Sequence, residues 1–215
     1  GSELAQQDIL DAIDWVRERY PVDDNQIFLT GESGGGHMTM LMAGRYPDRW
    51  AAAVAWVGIS DLASWHETHK DGNYGEMIRL AVGGAPGASQ AIDDELKARS
   101  PITHLANAKD VALEIAAGRH DGHKGSVPIR HSLNAFNTIA TARGTDLITD
   151  AEIEQMSRVD GHLDQPQPSD QVTDASFGTE IFLRRHAGHA RVTIFEGGHM
   201  GIATATMAWF EDHTQ

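Results

Sequence analysis

The sequence feature that most limits the fold is the run Gly31-Glu32-Ser33-Gly34-Gly35, which fits the pattern Gly-x-Ser-x-Gly. A short apolar stretch, residues 27–30, precedes the run, and a helical spacing of apolar residues that begins at Met38 follows it. A serine in a sharp strand-to-helix turn presents its hydroxyl at the C-terminal edge of a parallel sheet, and its glycine neighbours leave room for the strained backbone. The motif therefore predicts Ser33 as a nucleophile, with the N–H of Gly34 as an oxyanion donor at the start of the helix.

Short apolar strands alternate with helices along the rest of the chain. Strands are predicted at 27–30, 51–57, 111–116 and 192–195, and helices at 4–20, from 38 to before 47, at 73–82, at 92–99, from 128 through 139, after the capping box of Thr149 and Glu152, and at 201–213. This alternation predicts an α/β fold with a mostly parallel sheet flanked by helices. At 215 residues, the chain (1–215) is expected to form a single domain. The polar segment 144–187 is interpreted as an insertion or lid-like segment within it.

A serine nucleophile needs a base and an acid, which in this architecture follow it in the order Ser, Asp or Glu, His. Asp121 directly follows the third predicted strand, and His199 follows the last one. Both should therefore emerge at the edge of the sheet that carries Ser33. Asp61, after the second predicted strand, ends at the same edge and is retained as an alternative acid, or as a helix N-cap.

The charge and composition exclude several classes of function. The formal net charge of -14 argues against nucleic acid and anionic membranes as partners, because both demand a basic surface. The absence of cysteine removes thiol nucleophiles, disulfide scaffolds and iron–sulfur clusters. The longest apolar stretch, 51–57, is far shorter than the roughly 20 residues of a membrane span. The composition leaves the cellular compartment open.

Histidine pairs suggest a metal-dependent hydrolase as one alternative to the serine chemistry. The pairs are His120-Asp121-x-His123, His66-x-x-His69 and His186-x-x-His189. No His-Glu-x-x-His pattern occurs, and no phosphate-loop pattern occurs around the glycine-rich turn. We therefore expect neither a metal nor a cofactor.

Two polar residues near the motif are not expected to take part in the chemistry. Glu32 is expected to be structural and buried by pairing or hydrogen bonding, and His37 is expected to have a packing role.

Several motifs in register resemble the catalytic domain of the prolyl oligopeptidase family, within the α/β-hydrolase superfamily, and in particular its esterase-like branch. The matching stretches are 8–15, 31–39, 46–52, 99–102, 127–132 and 197–199. The resemblance implies Ser33 as nucleophile, Asp121 as acid and His199 as general base, acting through an acyl-enzyme on a small ester or, alternatively, a short peptide. The chain departs from the family's peptidases in two respects. It reads Ser-Gly-Gly-Gly where they usually carry Ser-Tyr-Gly-Gly, and its base lies 78 positions after its acid, which is longer than the family's usual spacing.

The resemblance also implies a sheet of about eight strands, whereas the sequence predicts four, all from its C-terminal half. We therefore expect the N-terminal strands, and the loop that supplies a second oxyanion donor, to be missing or supplied elsewhere. The edge of the 27–30 strand would then favour strand pairing or a homo-oligomer. An inactive or split hydrolase fragment that needs a partner segment is a further alternative.

Overall fold

The computed structural model describes residues 1–214, which form five strands and eight α-helices. The strands are β1 (Phe28–Glu32), β2 (Ala52–Trp56), β3 (Leu113–Gly118), β4 (Ile181–Ala187) and β5 (Ala190–Phe195). The helices are α1 (Glu3–Arg17), α2 (Gly34–Arg45), α3 (Leu62–His69), α4 (Asn73–Val82), α5 (Gln90–Arg99), α6 (Arg130–Arg143), α7 (Asp150–Met156) and α8 (Ala203–Asp212). Short 3-10 turns lie at Pro47–Arg49, Pro101–Thr103, Leu105–Asp110 and Pro168–Asp170. No helix within residues 1–214 combines the length and the apolar character that crossing a bilayer requires.

The strands form one sheet in the order β1-β2-β3-β5-β4. β1, β2, β3 and β5 run parallel, and β4 pairs antiparallel with β5. Every residue of β2 and β3 is buried, which explains why β2 is wholly apolar and why β3 is apolar apart from Glu114. The prediction of an α/β fold with a mostly parallel sheet flanked by helices is confirmed.

Strand β4 lies within the segment 144–187 and was not predicted. Its buried arginines suggest a polar loop in the sequence, but carboxylates neutralise them in the structure: Arg184 lies 2.9 Å from Asp174, and Arg185 lies 2.7 Å from Asp170. Buried apolar residues of the same segment join the main core, among them Ile148, Ile153, Met156, Leu163 and Phe177. Much of the segment is therefore a sheet edge and its packing, and a lid role for the rest stays a prediction.

Strand β1 has β2 on one side and no strand on its other side among the described residues. The N–H of Ser33 donates to Trp56 O, 2.9 Å away, so the backbone groups of Phe28, Thr30 and Glu32 point away from β2 by alternation. Such an edge favours pairing with a further strand. That pairing, with a second copy or another segment, stays a prediction.

Candidate active site

The strained turn at Ser33 joins β1 to α2. Ser33 has φ 58° and ψ −114°, and the other non-glycine residue with positive φ in the described chain is Val57, at φ 44°. Both lie just beyond the C-terminal ends of the neighbouring strands β1 and β2. Such conformations cost about 1–3 kcal/mol each and persist only where surrounding contacts hold them. The sharp turn of Ser33 is the geometry that exposes a nucleophile at the edge of a sheet.

Asp121 and His199 meet at the same edge, after β3 and β5. Asp121 Oδ2 lies 2.8 Å from His199 Nδ1, and Asp121 Oδ1 accepts hydrogen bonds from the N–H groups of Gly122 (3.0 Å) and Val127 (3.1 Å). Burial raises the pKa of Asp121, and the hydrogen bond from His199 opposes that rise. Because a carboxylate only accepts, the proton of His199 lies on Nδ1 and leaves Nε2 as the basic atom.

Ser33 belongs to the same edge, since β1, β3 and β5 run parallel and each is followed by one of the three residues. The structure brings Asp121 and His199 into hydrogen-bond contact, whereas no such bond joins the Ser33 hydroxyl to His199 within residues 1–214. Gly34 is exposed at the first position of α2, where backbone N–H groups have no partner inside the helix. The edge therefore carries a serine in a strained turn, a histidine held by a buried aspartate, and an exposed glycine N–H at the start of a helix.

Gly125 allows Asp121 and His199 to approach each other, and the sequence did not predict this role. A Cβ at this position would lie 2.1 Å from Asp121 Oδ1 and 2.7 Å from the Cβ of His199. Any side chain here would therefore displace the pair. The sequence gives no signal for this role, because the glycine is one of several in a polar loop.

An aromatic cluster beside the acid loop was also missed. Trp65 contacts Tyr74 and His69, with ring centroids 4.9 and 5.1 Å apart. The Nε1–H of Trp65 donates to Ser126 O at 3.1 Å, next to Gly125 in the loop. This cluster therefore packs against the loop that follows Asp121.

The alternative acid, Asp61, caps helix α3 in the structure. Its Oδ1 accepts from the N–H groups of Ala63 (2.9 Å) and Ser64 (3.1 Å). These contacts are the helix N-cap that the sequence offered as the other role for this residue. The carboxylate in contact with His199 is that of Asp121.

Histidines that suggested a metal site are engaged with the protein instead. His69 Nε2 lies 2.6 Å from Ser126 O, His120 Nε2 lies 2.9 Å from Glu196 Oε1, and His123 Nε2 lies 3.1 Å from Ser157 O. Over the described part of the chain, no three His, Asp or Glu side chains converge on a common point where a metal ion could bind.

Glu32 and His37 flank the turn. His37 is buried with Nδ1 2.9 Å from Ile59 O, which agrees with a packing role, and burial lowers its pKa to about 4. Glu32 is exposed, so the expectation that it is buried was wrong. It is nevertheless hydrogen bonded, because its Oε2 accepts from the N–H of Gly201 at 3.0 Å.

The buried side chain of His131 predicts loss of stability in acid. Its Nδ1 accepts from the N–H of Ser60 at 3.3 Å, and burial lowers its pKa from 6.5 to about 4. As the pH falls from 6.5 to 4, His131 gains a proton in the unfolded chain but stays neutral in the folded chain. About 3 kcal/mol of the free energy of unfolding is therefore lost. In His131→Asn, whose amide oxygen can replace Nδ1 as acceptor, urea unfolding should show an acid loss smaller by about that amount.

The exposed His162 provides the matched control, and His162→Asn should leave the acid loss unchanged. An equal dependence on pH in His131→Asn and the wild type would contradict this prediction.

The fold and the geometry of this edge define an α/β-hydrolase. The model of the prolyl oligopeptidase family matches residues 3–155, and the chain belongs to that family. The resemblance to this family is thereby confirmed.

The chain is similar over part of its length to several named relatives and solved structures. The chain is 39% identical over 51 residues to a probable acetylxylan esterase A of Aspergillus flavus, covering 24% of this chain and 17% of that protein. It is 27% identical over 117 residues to feruloyl esterase B of Talaromyces stipitatus, covering 54% and 26%. An acylaminoacyl peptidase of Pyrococcus horikoshii matches with a TM-score of 0.54 and 22% identity, over 66% of this chain and 21% of the other, which shows the shared fold. The chain thus spans about a quarter or less of the length of each.

Proposed function

We propose that this protein hydrolyses carboxylic esters through an acyl-enzyme on Ser33. His199 Nε2 accepts the proton of Ser33 as Oγ attacks the ester carbonyl carbon, and the N–H of Gly34 stabilises the resulting oxyanion. Collapse breaks the ester C–O bond, and His199 gives its proton to the departing alcohol. Water then attacks the acyl-enzyme by the same route and releases the carboxylic acid and free Ser33. Asp121 holds the tautomer of His199 and stabilises its protonated form.

The single observation that carries this proposal is the Asp121–His199 contact of 2.8 Å at the edge where the strained turn presents Ser33. The partial exposure of His199, whose side chain is 24% accessible beside a fully buried Asp121, leaves the base open to a substrate. The relatives named as esterases favour an ester over a peptide.

A fluorophosphonate reagent tests the proposal, since it reacts covalently with an activated serine. We expect the wild-type protein to be labelled on the peptide that contains Ser33, as located by mass spectrometry, and to hydrolyse p-nitrophenyl acetate. Heat-denatured protein is the control for nonspecific reaction. Labelling confined to other peptides, or none, would contradict the assignment of Ser33.

A serine peptidase is the second candidate, and the family match supports it. The same triad cleaves amides, so the distinction depends on turnover. We expect kcat/KM for p-nitrophenyl acetate to exceed that for an X-Pro chromogenic peptide. The reverse order would favour the peptidase.

A further inference from the structure

The nucleophile and the base are carried by strands that do not touch. In the order β1-β2-β3-β5-β4, two strands separate β1, which leads into Ser33, from β5, which leads into the loop of His199. A direct contact bridges this gap: Glu32, the last residue of β1, accepts a hydrogen bond on Oε2 from the N–H of Gly201 at 3.0 Å. Glu32 is the residue before Ser33, and Gly201 is two residues after His199.

The loop that carries His199 is therefore held at two points. Asp121 holds the imidazole through Nδ1, and Glu32 holds the backbone two residues further on. Gly201 fits closely between Glu32 and Trp56, because a Cβ there would lie 3.2 Å from Glu32 Oε2 and 3.0 Å from the Trp56 ring. Asp121 fixes the ring relative to β3, whereas Glu32 fixes the same loop relative to the serine.

We propose that Glu32 is a positioning residue that sets the distance between His199 and Ser33. This inference rests on the proposed function, because it assigns Glu32 a part in the reaction of that serine. An ionised acceptor makes a stronger hydrogen bond to an N–H than a neutral one, which suits a contact at an exposed site. Glu32 acts through the backbone of the loop and does not touch the substrate.

The test compares substitutions that remove, retain or withdraw the acceptor. Glu32→Ala is expected to lower both the rate constant of fluorophosphonate labelling and the kcat for p-nitrophenyl acetate about 10-fold, with KM unchanged, since small misplacements of reacting groups are costly. Glu32→Gln keeps an acceptor oxygen at the same reach and should recover to within about 3-fold of the wild type. Glu211→Ala, an exposed glutamate on α8, is the matched control and should label at the wild-type rate.

Labelling of Glu32→Ala at the wild-type rate would overturn the proposal, as would a loss expressed in KM alone. A loss in Glu32→Ala that Glu32→Gln does not recover would also overturn it. If the Tm of Glu32→Ala is below that of the wild type, the deciding variant is Glu32→Asp, which withdraws the carboxylate by one methylene. Slower labelling of Glu32→Asp at an unchanged Tm supports the proposal. Labelling of Glu32→Asp at the wild-type rate overturns it. Failure of the proposed function is separate, since wild-type Ser33 would then not be labelled at all.

Discussion

Replacement of Asp121 by asparagine is expected, under the proposed mechanism, to lower kcat for p-nitrophenyl acetate about 10⁴-fold, as the equivalent change does in a known Ser-His-Asp triad. The amide oxygen of the introduced side chain would face the N–H groups of Gly122 and Val127, which now donate to Asp121 Oδ1. The NH₂ of that amide would then face His199 and donate to Nδ1. The imidazole would have to carry its proton on Nε2, and it could no longer take one from Ser33.

Asp61→Asn is the matched control, because asparagine caps helices about as well as aspartate. It should retain the activity and the Tm of the wild type. The measurement is kcat for p-nitrophenyl acetate. Ser33→Ala gives the background rate, and the rate of Asp121→Asn should not fall far below it. An active Asp121→Asn beside an inactive Asp61→Asn would reverse the assignment of the acid.

Four of the five strands were predictable because the sheet is mostly parallel and its central strands, β2 and β3, are buried. Short, mostly apolar runs are typical of such strands, and β1, β2, β3 and β5 each contain one, although β3 also carries Glu114 and β5 carries Arg191. Chain order and strand ends then placed Asp121 and His199 at one edge without any knowledge of side-chain contacts. Their contact at 2.8 Å is the arrangement that this reasoning expected.

Strand β4 escaped prediction because its pattern depends on partners distant in sequence. Arg184 and Arg185 are buried, and a local window takes two adjacent arginines as exposed loop. The carboxylates of Asp174, Asp170 and Glu152, brought close by the fold, make burial of the arginines tolerable. Paired charge of this kind carries no hydrophobic periodicity.

The contacts around Ser33, Asp121 and His199 were not predicted, for a related reason. The role of Gly125 depends on the positions of Asp121 and His199, and the role of Glu32 depends on the path of the loop to Gly201. Each involves an approach of backbone to side chain across a long sequence separation. A motif describes only the neighbours of a nucleophile along the chain, whereas Gly125 and Gly201 are brought close by the tertiary structure.

Substituting alanine for the first glycine of the motif is expected to have the largest effect on stability. A Cβ at Gly31 would lie 2.4 Å from the carbonyl carbon of Gly35 and 2.5 Å from its oxygen. These are backbone atoms of α2 on the far side of the turn, so neither can move as a flexible side chain would. Gly31→Ala should lower the free energy of unfolding by about 3 kcal/mol or more, measured by urea denaturation. Gly31→Ala should also slow fluorophosphonate labelling, because the backbone that must move to make room for the Cβ includes Ser33.

Gly34→Ala gives the matched comparison within the same turn. A Cβ at Gly34 meets nothing within 4 Å, and its φ lies outside the left-handed region. Alanine restricts the unfolded chain and favours the helix, so the free energy of unfolding should rise by about 0.5 kcal/mol. The backbone N–H that we propose as the oxyanion donor is retained, and labelling of Ser33 should proceed near the wild-type rate. Equal losses of stability in the two variants would show that the turn needs glycine at both positions for its conformation. A loss of stability in Gly31→Ala beside a gain in Gly34→Ala would show that contact with Gly35 makes glycine necessary at position 31.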